Sequence, residues 1–358
     1  MTNRLPRIPE VYFLSFVGPD YSRSSTILNF VSPNLHKKFL QLPSGFLYSV
    51  LEIYRNRRNI RNAHCLVVMS PCHILTPILK IYFNQPVILD AGWPLTDGHI
   101  ARGFNGLKSL RLPLVFIIDL IAFHFADLVL LESRGQVIRV NKLFRVSKSK
   151  LAVNFTGLNE NHYSVKSSES EIIRYVKKRI LDLDLSTVAL FRGKVNRESG
   201  FSNILSAALR LKNRSAFIFV IGSKNLNISF PSNCIVISGI SDDEMKQVYS
   251  LSDIAIGQVS LHPRLKYTIP HKAFEAGYFA KAYVTSNSEG LREFLENESA
   301  LFLPDSSSET LVTALLELQD FGLREKYSRN IKLNYGNIAS QKLINEKFEN
   351  YVKSLVSL

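Results

Sequence analysis

Short apolar runs alternate along this chain with longer segments whose apolar positions recur at helical spacing. Val11–Val17 (VYFLSFV) is one such run, and it ends at Gly18-Pro19-Asp20, where Ser22–Phe30 can begin a helix. Cys65–Met69, Pro86–Leu89, Leu128–Leu131 and Leu151–Asn154 repeat the pattern, the third reached through the apolar segment Leu112–Ala126. A second series follows at Val188–Phe191, Ala216–Ile221, Cys234–Ile237 and Asp253–Ile256, with a helix expected from about Gly200 to Leu211 and helices from Glu309 onward. Strands alternating with helices imply parallel βαβ units. The polar stretch 161–186 separates the two series. The expected organisation is therefore an N-terminal Rossmann-like domain over 1–160, a linker over 161–186 and a second Rossmann-like domain over 187–340. A C-terminal helix over 341–358 could cross back to the first domain. The expected fold class is α/β, with two doubly wound domains facing a central cleft.

Composition narrows this picture. The chain has 358 residues, 46% of them hydrophobic and 21% charged, as in a water-soluble globular protein of two domains. Met1–Glu10 is polar, so no secretory leader is expected. Leu112–Leu131 holds Pro113, Asp119, His124 and Asp127, too many costly groups for a spanning helix. Cys65, Cys72 and Cys234 lack metal-ligand spacing and point to a reduced, cytoplasmic setting without structural zinc. No H-x-x-x-H pair occurs, so no metal is expected. The net charge of +14 is uneven: residues 1–160 hold 19 Lys/Arg against 9 Asp/Glu, and residues 161–358 hold 25 against 21. The basic first half fits an anionic partner, and with no nucleic-acid-binding motif in sight an acidic membrane surface is preferred to nucleic acid.

The densest chemistry lies in Tyr267–Pro304. Lys272 and Glu275 stand three apart and share one helix face, and Pro270 suits the helix start. A cation, a carboxylate and free backbone N–H groups at a helix start suit a ligand carrying both phosphate and ribose. An i,i+3 surface ion pair is the alternative. The segment resembles the donor motif of the group 1 type of retaining GT-B glycosyltransferases, with Pro270, Lys272, Glu275, Gly277, Ala282-Tyr283-Val284, Gly290 and Glu293 in the family's order. Ala126-Asp127-Leu128-Val129, Asn154–Asn159 and Leu190–Gly200 (LFRGKVNRESG) extend the resemblance, which covers most of residues 120–335. It departs at Tyr267, where the family often has a glutamate, and at Ser199, where the phosphate loop usually carries a second basic residue.

What this resemblance implies is a sugar transfer from a nucleotide-sugar co-substrate, UDP- or GDP-linked, with retention and without a metal or other cofactor. Lys194 and Lys272 would then stabilise the departing diphosphate, since a fixed cation strengthens its hold as negative charge develops. Gly193, Arg197, Glu275, Ser288 and Gly290 complete the expected donor site, with Glu275 on the ribose. In the first half, Gly18 and Arg23 follow the first strand and could touch phosphate or acceptor. Asp90, at another strand end, is the candidate acceptor-side base, with His99 as the lesser candidate; an Asp there can equally be a cap. Asp182-Leu183-Asp184 matches the metal-binding D-x-D of another fold but lacks its context, and reads as polar turn residues. Phe46–Arg61 combines helical apolar spacing with an arginine-rich end, fitting either an interfacial helix near anionic lipid or a core helix with a solvated terminus.

The expected function is thus a hexosyltransferase-type enzyme of surface polysaccharide synthesis, acting on a lipid-linked or glycan acceptor, cytoplasmic and open to a peripheral place at the inner membrane face. A GT-B-fold sugar-nucleotide epimerase and a catalytically silent donor-binding or partner subunit are the alternatives.

Overall fold

The computed structural model describes residues 8–101, 111–164, 168–222, 228–296 and 298–356; most of the polar start and Lys166-Ser167 lie outside the described residues. Two compact units result, one of residues 1–159 with 341–358 and one of residues 160–340.

The first unit is built on a six-stranded, all-parallel sheet of β1 (Glu10–Ser15), β2 (His36–Gln41), β3 (Cys65–Met69), β4 (Val87–Gly92), β5 (Leu128–Leu131) and β6 (Leu151–Val153), in the order β2-β1-β3-β4-β5-β6. The second holds β7 (Thr187–Gly193), β8 (Ser215–Ile221), β9 (Cys234–Ile237), β10 (Ile254–Ile256), β11 (Ala282–Ser286) and β12 (Leu301–Leu303), also all parallel, in the order β12-β11-β10-β7-β8-β9. The central strands are apolar on both faces because helices cover both, as β3 and β8 show: every one of their residues is buried. Each sheet changes direction once, between β1 and β3 in the first unit and between β7 and β10 in the second. Ligands of open α/β sheets bind beyond the carboxyl ends of the strands at such a point.

Two segments differ from the sequence reading. β2 was not expected, because HKKFLQ is polar; it is an edge strand, where charged side chains discourage further pairing. Its Lys37 Nζ donates to the carbonyl of Ile27 (2.6 Å) and to Asn345 Oδ1 (3.0 Å). Residues 161–186, expected as a linker, contain a helix, Glu171–Leu183, capped by Ser170 and burying Ile173 and Val176; they belong to the second unit. The helix Gln341–Val356 belongs to the first, where the rings of Phe348 and Phe13 lie 5.7 Å apart and Asn345 donates to the Thr26 carbonyl (2.9 Å).

The loop after β7 is held at Gly200, which sits at φ +68° before the helix Phe201–Arg210. A Cβ there would fall 1.7 Å from the carbonyl oxygen of Val259. Gly200→Ala is therefore expected to cost about 3 kcal/mol of stability, combining a left-handed backbone with a clash against a main-chain atom. Urea unfolding measures this, and an unchanged midpoint would show that the two loops separate freely.

Candidate functional site

In the second unit the strand ends at the reversal point are Arg192-Gly193, which close β7, and Gly257-Gln258 after β10. Lys272, in the first turn of the helix His271–Tyr278, reaches both. Its Nζ donates to the Gly257 carbonyl and to Gln258 Oε1 (3.3 Å each) and lies 4.2 Å from the centre of the Phe191 ring. Gly193 is close by, since a Cβ on it would stand 3.3 Å from the same Nζ. Burial, and then the neighbouring Arg192 charge, push the Lys272 ammonium down to about 7. The helix starts one residue later than the motif suggests, with Pro270 in the cap position.

Gln258, which accepts from Lys272, also lines a cavity of about 610 Å³, walled further by Ser260 and His262 after β10 and by Ser286, Asn287 and Ser288 at the end of β11. Ser286 is buried and its hydroxyl has no hydrogen-bond partner among the described residues. Ser288 caps the helix Glu289–Phe294 by accepting from the Leu291 N–H (3.2 Å). Gly290 lets that helix start approach the neighbouring loop, because a Cβ there would lie 2.5 Å from the Tyr267 carbonyl carbon.

Glu275 does not sit as a surface partner of Lys272. It is 1% exposed and accepts from the Arg192 guanidinium, from Tyr163 (3.4 Å) and from Tyr249 (2.9 Å), with His271 Nδ1 3.3 Å away. Burial drives the Tyr163 phenol up to about 12 and Tyr249 higher still, so both stay protonated and donate. Burial and Arg192 push His271 down to about 3, which leaves it neutral at ordinary pH. Gln258, Tyr163 and Tyr249 were not singled out from the sequence; Arg192, which the sequence offers beside Arg197 as a charge for the phosphate loop, is instead paired with Glu275.

Lys194 and Arg197 are exposed on the loop after β7, with no contact to Lys272 among those observed. Ser199, at the position of the missing basic residue, is buried: its N–H donates to Asn196 Oδ1 (2.9 Å) and its hydroxyl to the Asn196 carbonyl (2.8 Å). It shapes the loop and carries no charge for a phosphate. Asp182 and Asp184 stand at the end of the helix Glu171–Leu183, where Asp184 takes the left-handed cap position; they form a helix terminus. Among the described residues, no group of three His, Cys, Asp or Glu side chains could hold a metal.

In the first unit the structure joins two candidates that the sequence had kept apart. Arg23 Nε donates to both oxygens of Asp90 (2.9 and 3.0 Å), while its other nitrogens bond Thr156 Oγ1 (3.2 Å) and the Asn154 carbonyl (3.1 Å). Asp90 is 0% exposed and Arg23 5%. The expected base and the expected phosphate contact are thus each other's counter-ion, tying the helix Ser22–Leu28 to the ends of β4 and β6. Gly18 lies half-buried after β1, near the Gln41 side chain, and His99 half-buried on the helix Leu95–Ala101.

Two all-parallel doubly wound units, each with one reversal of strand order, make up a GT-B-type fold. Residues 176–334 match the family model described as glycosyl transferases group 1. The fold is shared along nearly the whole chain with solved structures. Anabaena Alr3699/HepE in complex with UDP-glucose superposes with a TM-score of 0.74 at 12% identity, over 97% of this chain and 100% of that one. Sucrose-phosphate synthase from Thermosynechococcus elongatus gives 0.72 at 12%, over 98% and 99%. A glycosyltransferase from Rickettsia africae gives 0.68 at 12%, over the same shares. No curated protein sequence matches the chain.

Proposed function

We propose that the chain transfers a sugar from a nucleotide-sugar donor, UDP- or GDP-linked, to a lipid-linked or glycan acceptor presented at an anionic membrane face, as in the assembly of surface polysaccharides. The observation that carries this reading is Lys272 at the strand reversal of the second unit, whose partner Gln258 lines a cavity edged by Ser286 and the capped helix start at Ser288. A diphosphate seated there meets a cation and backbone N–H groups, and the lysine's attraction grows as the sugar–phosphate bond breaks. Orientation and leaving-group stabilisation supply the rate, with Lys194 and Arg197 brought in from the loop after β7. Retention of the anomeric configuration and independence of metal follow from the family resemblance. The UDP-glucose complex of the Anabaena protein supports a nucleotide-sugar donor.

A catalytically silent donor-binding protein is the second reading, favoured by the Arg23–Asp90 ion pair, which takes up the candidate base. One experiment separates the two. Nucleotide sugars are screened for thermal stabilisation, where a ligand at a hundred times its Kd contributes about 2.7 kcal/mol. The stabilising donor is then assayed for transfer and hydrolysis in excess chelator. Turnover that survives chelation is expected. Stabilisation without turnover would leave the silent binder, and turnover restored only by magnesium or manganese would overturn the metal-independent reading.

A further inference from the structure

The two faces of the first unit's sheet are covered differently. Right-handed crossovers put the helices Phe46–Arg55, Arg57–Asn62, Thr76–Tyr82, Leu112–Phe125 and Arg134–Phe144 on one face, and Ser22–Leu28 with Gln341–Val356 on the other. The inner sides of the first set pack one core, through Ile53, Ile60, Leu79, Phe123 and Phe144.

The outer side of this layer is apolar as well. The helix Phe46–Arg55 buries Ser49 and Ile53 and turns Leu47 (73% exposed), Tyr48, Leu51 and Tyr54 outward. Ile81 and Tyr82, at the end of the helix Thr76–Tyr82, are 70% and 71% exposed. On Leu112–Phe125, the exposed Leu114, Ile117, Ile121 and Phe125 follow one another at helical spacing and so form one stripe. The helices carrying these side chains are neighbours: Thr76–Tyr82 packs against Leu112–Phe125, and Gln85, just beyond the former, donates to the Arg61 carbonyl (2.6 Å).

Cations frame the apolar surface. Residues 46–62 hold four Arg and one Glu, and residues 134–150 hold six Lys/Arg and no Asp or Glu. Arg55, Arg58 and Arg61 are exposed, and the Arg57 guanidinium lies over the Tyr54 ring at 4.1 Å. Large exposed apolar patches mark interaction surfaces, and this one is matched in charge to an acidic partner. A nucleic acid would use the arginines but has no place for protruding Leu and Ile side chains. A bilayer uses both: apolar side chains enter the acyl boundary, tyrosines settle at the headgroups, and guanidinium groups meet lipid phosphates.

We propose that this helical layer of the first unit docks the protein onto a bilayer containing anionic phospholipids. It names the surface for the membrane face in the proposed function and rests on that reading for its place in the cell, while its physics is independent of sugar chemistry. Among the described residues no helix is long and apolar enough to cross a membrane, so the attachment is interfacial.

The test is vesicle sedimentation with phosphatidylcholine alone and with phosphatidylcholine containing phosphatidylglycerol. Arg55, Arg57, Arg58 and Arg61 are changed together to Ser, and separately Leu47→Ser is combined with Leu51→Ser. Wild type should pellet with acidic vesicles, far less with neutral ones, and release as salt rises, because the lipid field decays within about 10 Å at 0.1 M. Each basic residue near an acidic surface is worth about fivefold in partitioning, so the arginine variant should lose tenfold or more. The apolar variant, whose changes are on the solvent side, should also lose binding while keeping its cooperative melt, which keeps the test valid if the arginine variant misfolds. Equal pelleting with both lipids, no pelleting, binding unchanged in the apolar variant, or capture by DNA in place of acidic vesicles would each overturn the proposal. Stabilisation by nucleotide sugar, read on the same variants, is expected to stay at the wild-type level, so failure of docking and failure of the donor reading show in different measurements.

Discussion

Lys272→Ala should slow sugar transfer about a hundredfold while leaving the thermal midpoint within a few degrees of wild type. The magnitude is that of one lost donor aimed at charge developing in a transition state. The small structural cost follows from the contacts: Nζ gives up two 3.3 Å hydrogen bonds, to the Gly257 carbonyl and to Gln258. A pH signature accompanies it. In the free protein burial and Arg192 push the Lys272 ammonium down to about 7, so the cation is present below that pH and lost above it. The ratio kcat/KM, which reports the free enzyme, should fall as pH rises through about 7. Stability moves the other way. From about 7 to the ordinary lysine range the unfolded chain holds a proton that the folded chain lacks, so stability rises with pH across that window. Lys272→Arg keeps a charge that does not titrate, and should remove the inflection near 7 while retaining part of the rate. Wild-type turnover in Lys272→Ala, or an inflection that persists in Lys272→Arg, would exclude this lysine from the leaving-group site.

Lys272 also shows what a sequence carries and what it leaves out. Its place at a helix start was legible, because Pro270, the spacing to Glu275 and the apolar run Ala282–Val284 are all local signals. The alternation of strands and helices was legible for the same reason: central strands of a parallel sheet must be apolar on both faces. β2 was not, since an edge strand is permitted to be polar, and its Lys37 finds its partners in the turn after Ile27 and in Asn345, far along the chain. The helix Glu171–Leu183 was hidden by its charged outer face, although Ser170 ahead of Ile173 is an N-cap signal. The greatest loss concerns pairing. Arg23 and Asp90 are 67 residues apart, and no local pattern shows that the bidentate donor on one helix belongs to the carboxylate at a strand end. A carboxylate at a strand end looks the same in sequence whether it is open to a substrate or closed by an arginine.

Glu275 brings that lesson to the proposed donor site, and its replacement should be felt first as lost stability. Its carboxylate is 1% exposed and is the common acceptor for Arg192, Tyr163 and Tyr249, with His271 beside it. Glu275→Ala would strand a guanidinium and two phenols, and breaking a buried pair by removing one partner costs about 3–5 kcal/mol. Arg192 is a third exposed, so solvent takes back part of that penalty and a loss of about 2–3 kcal/mol is expected. Arg192→Met combined with Glu275→Met should lose less than the two single changes added together, because no buried charge is then left alone. Donor binding separates the structural role from the ribose role. For a ribose hydroxyl to reach the buried Glu275 carboxylate, at least one of the side chains packed around it must move aside. The stabilisation that the best nucleotide sugar gives to wild type should therefore shrink in Glu275→Ala beyond what its lower starting stability explains. Urea unfolding with and without donor measures both quantities in one series. An undiminished donor effect would confine Glu275 to holding Arg192 and the tyrosines, and an undiminished stability would contradict the buried cluster itself.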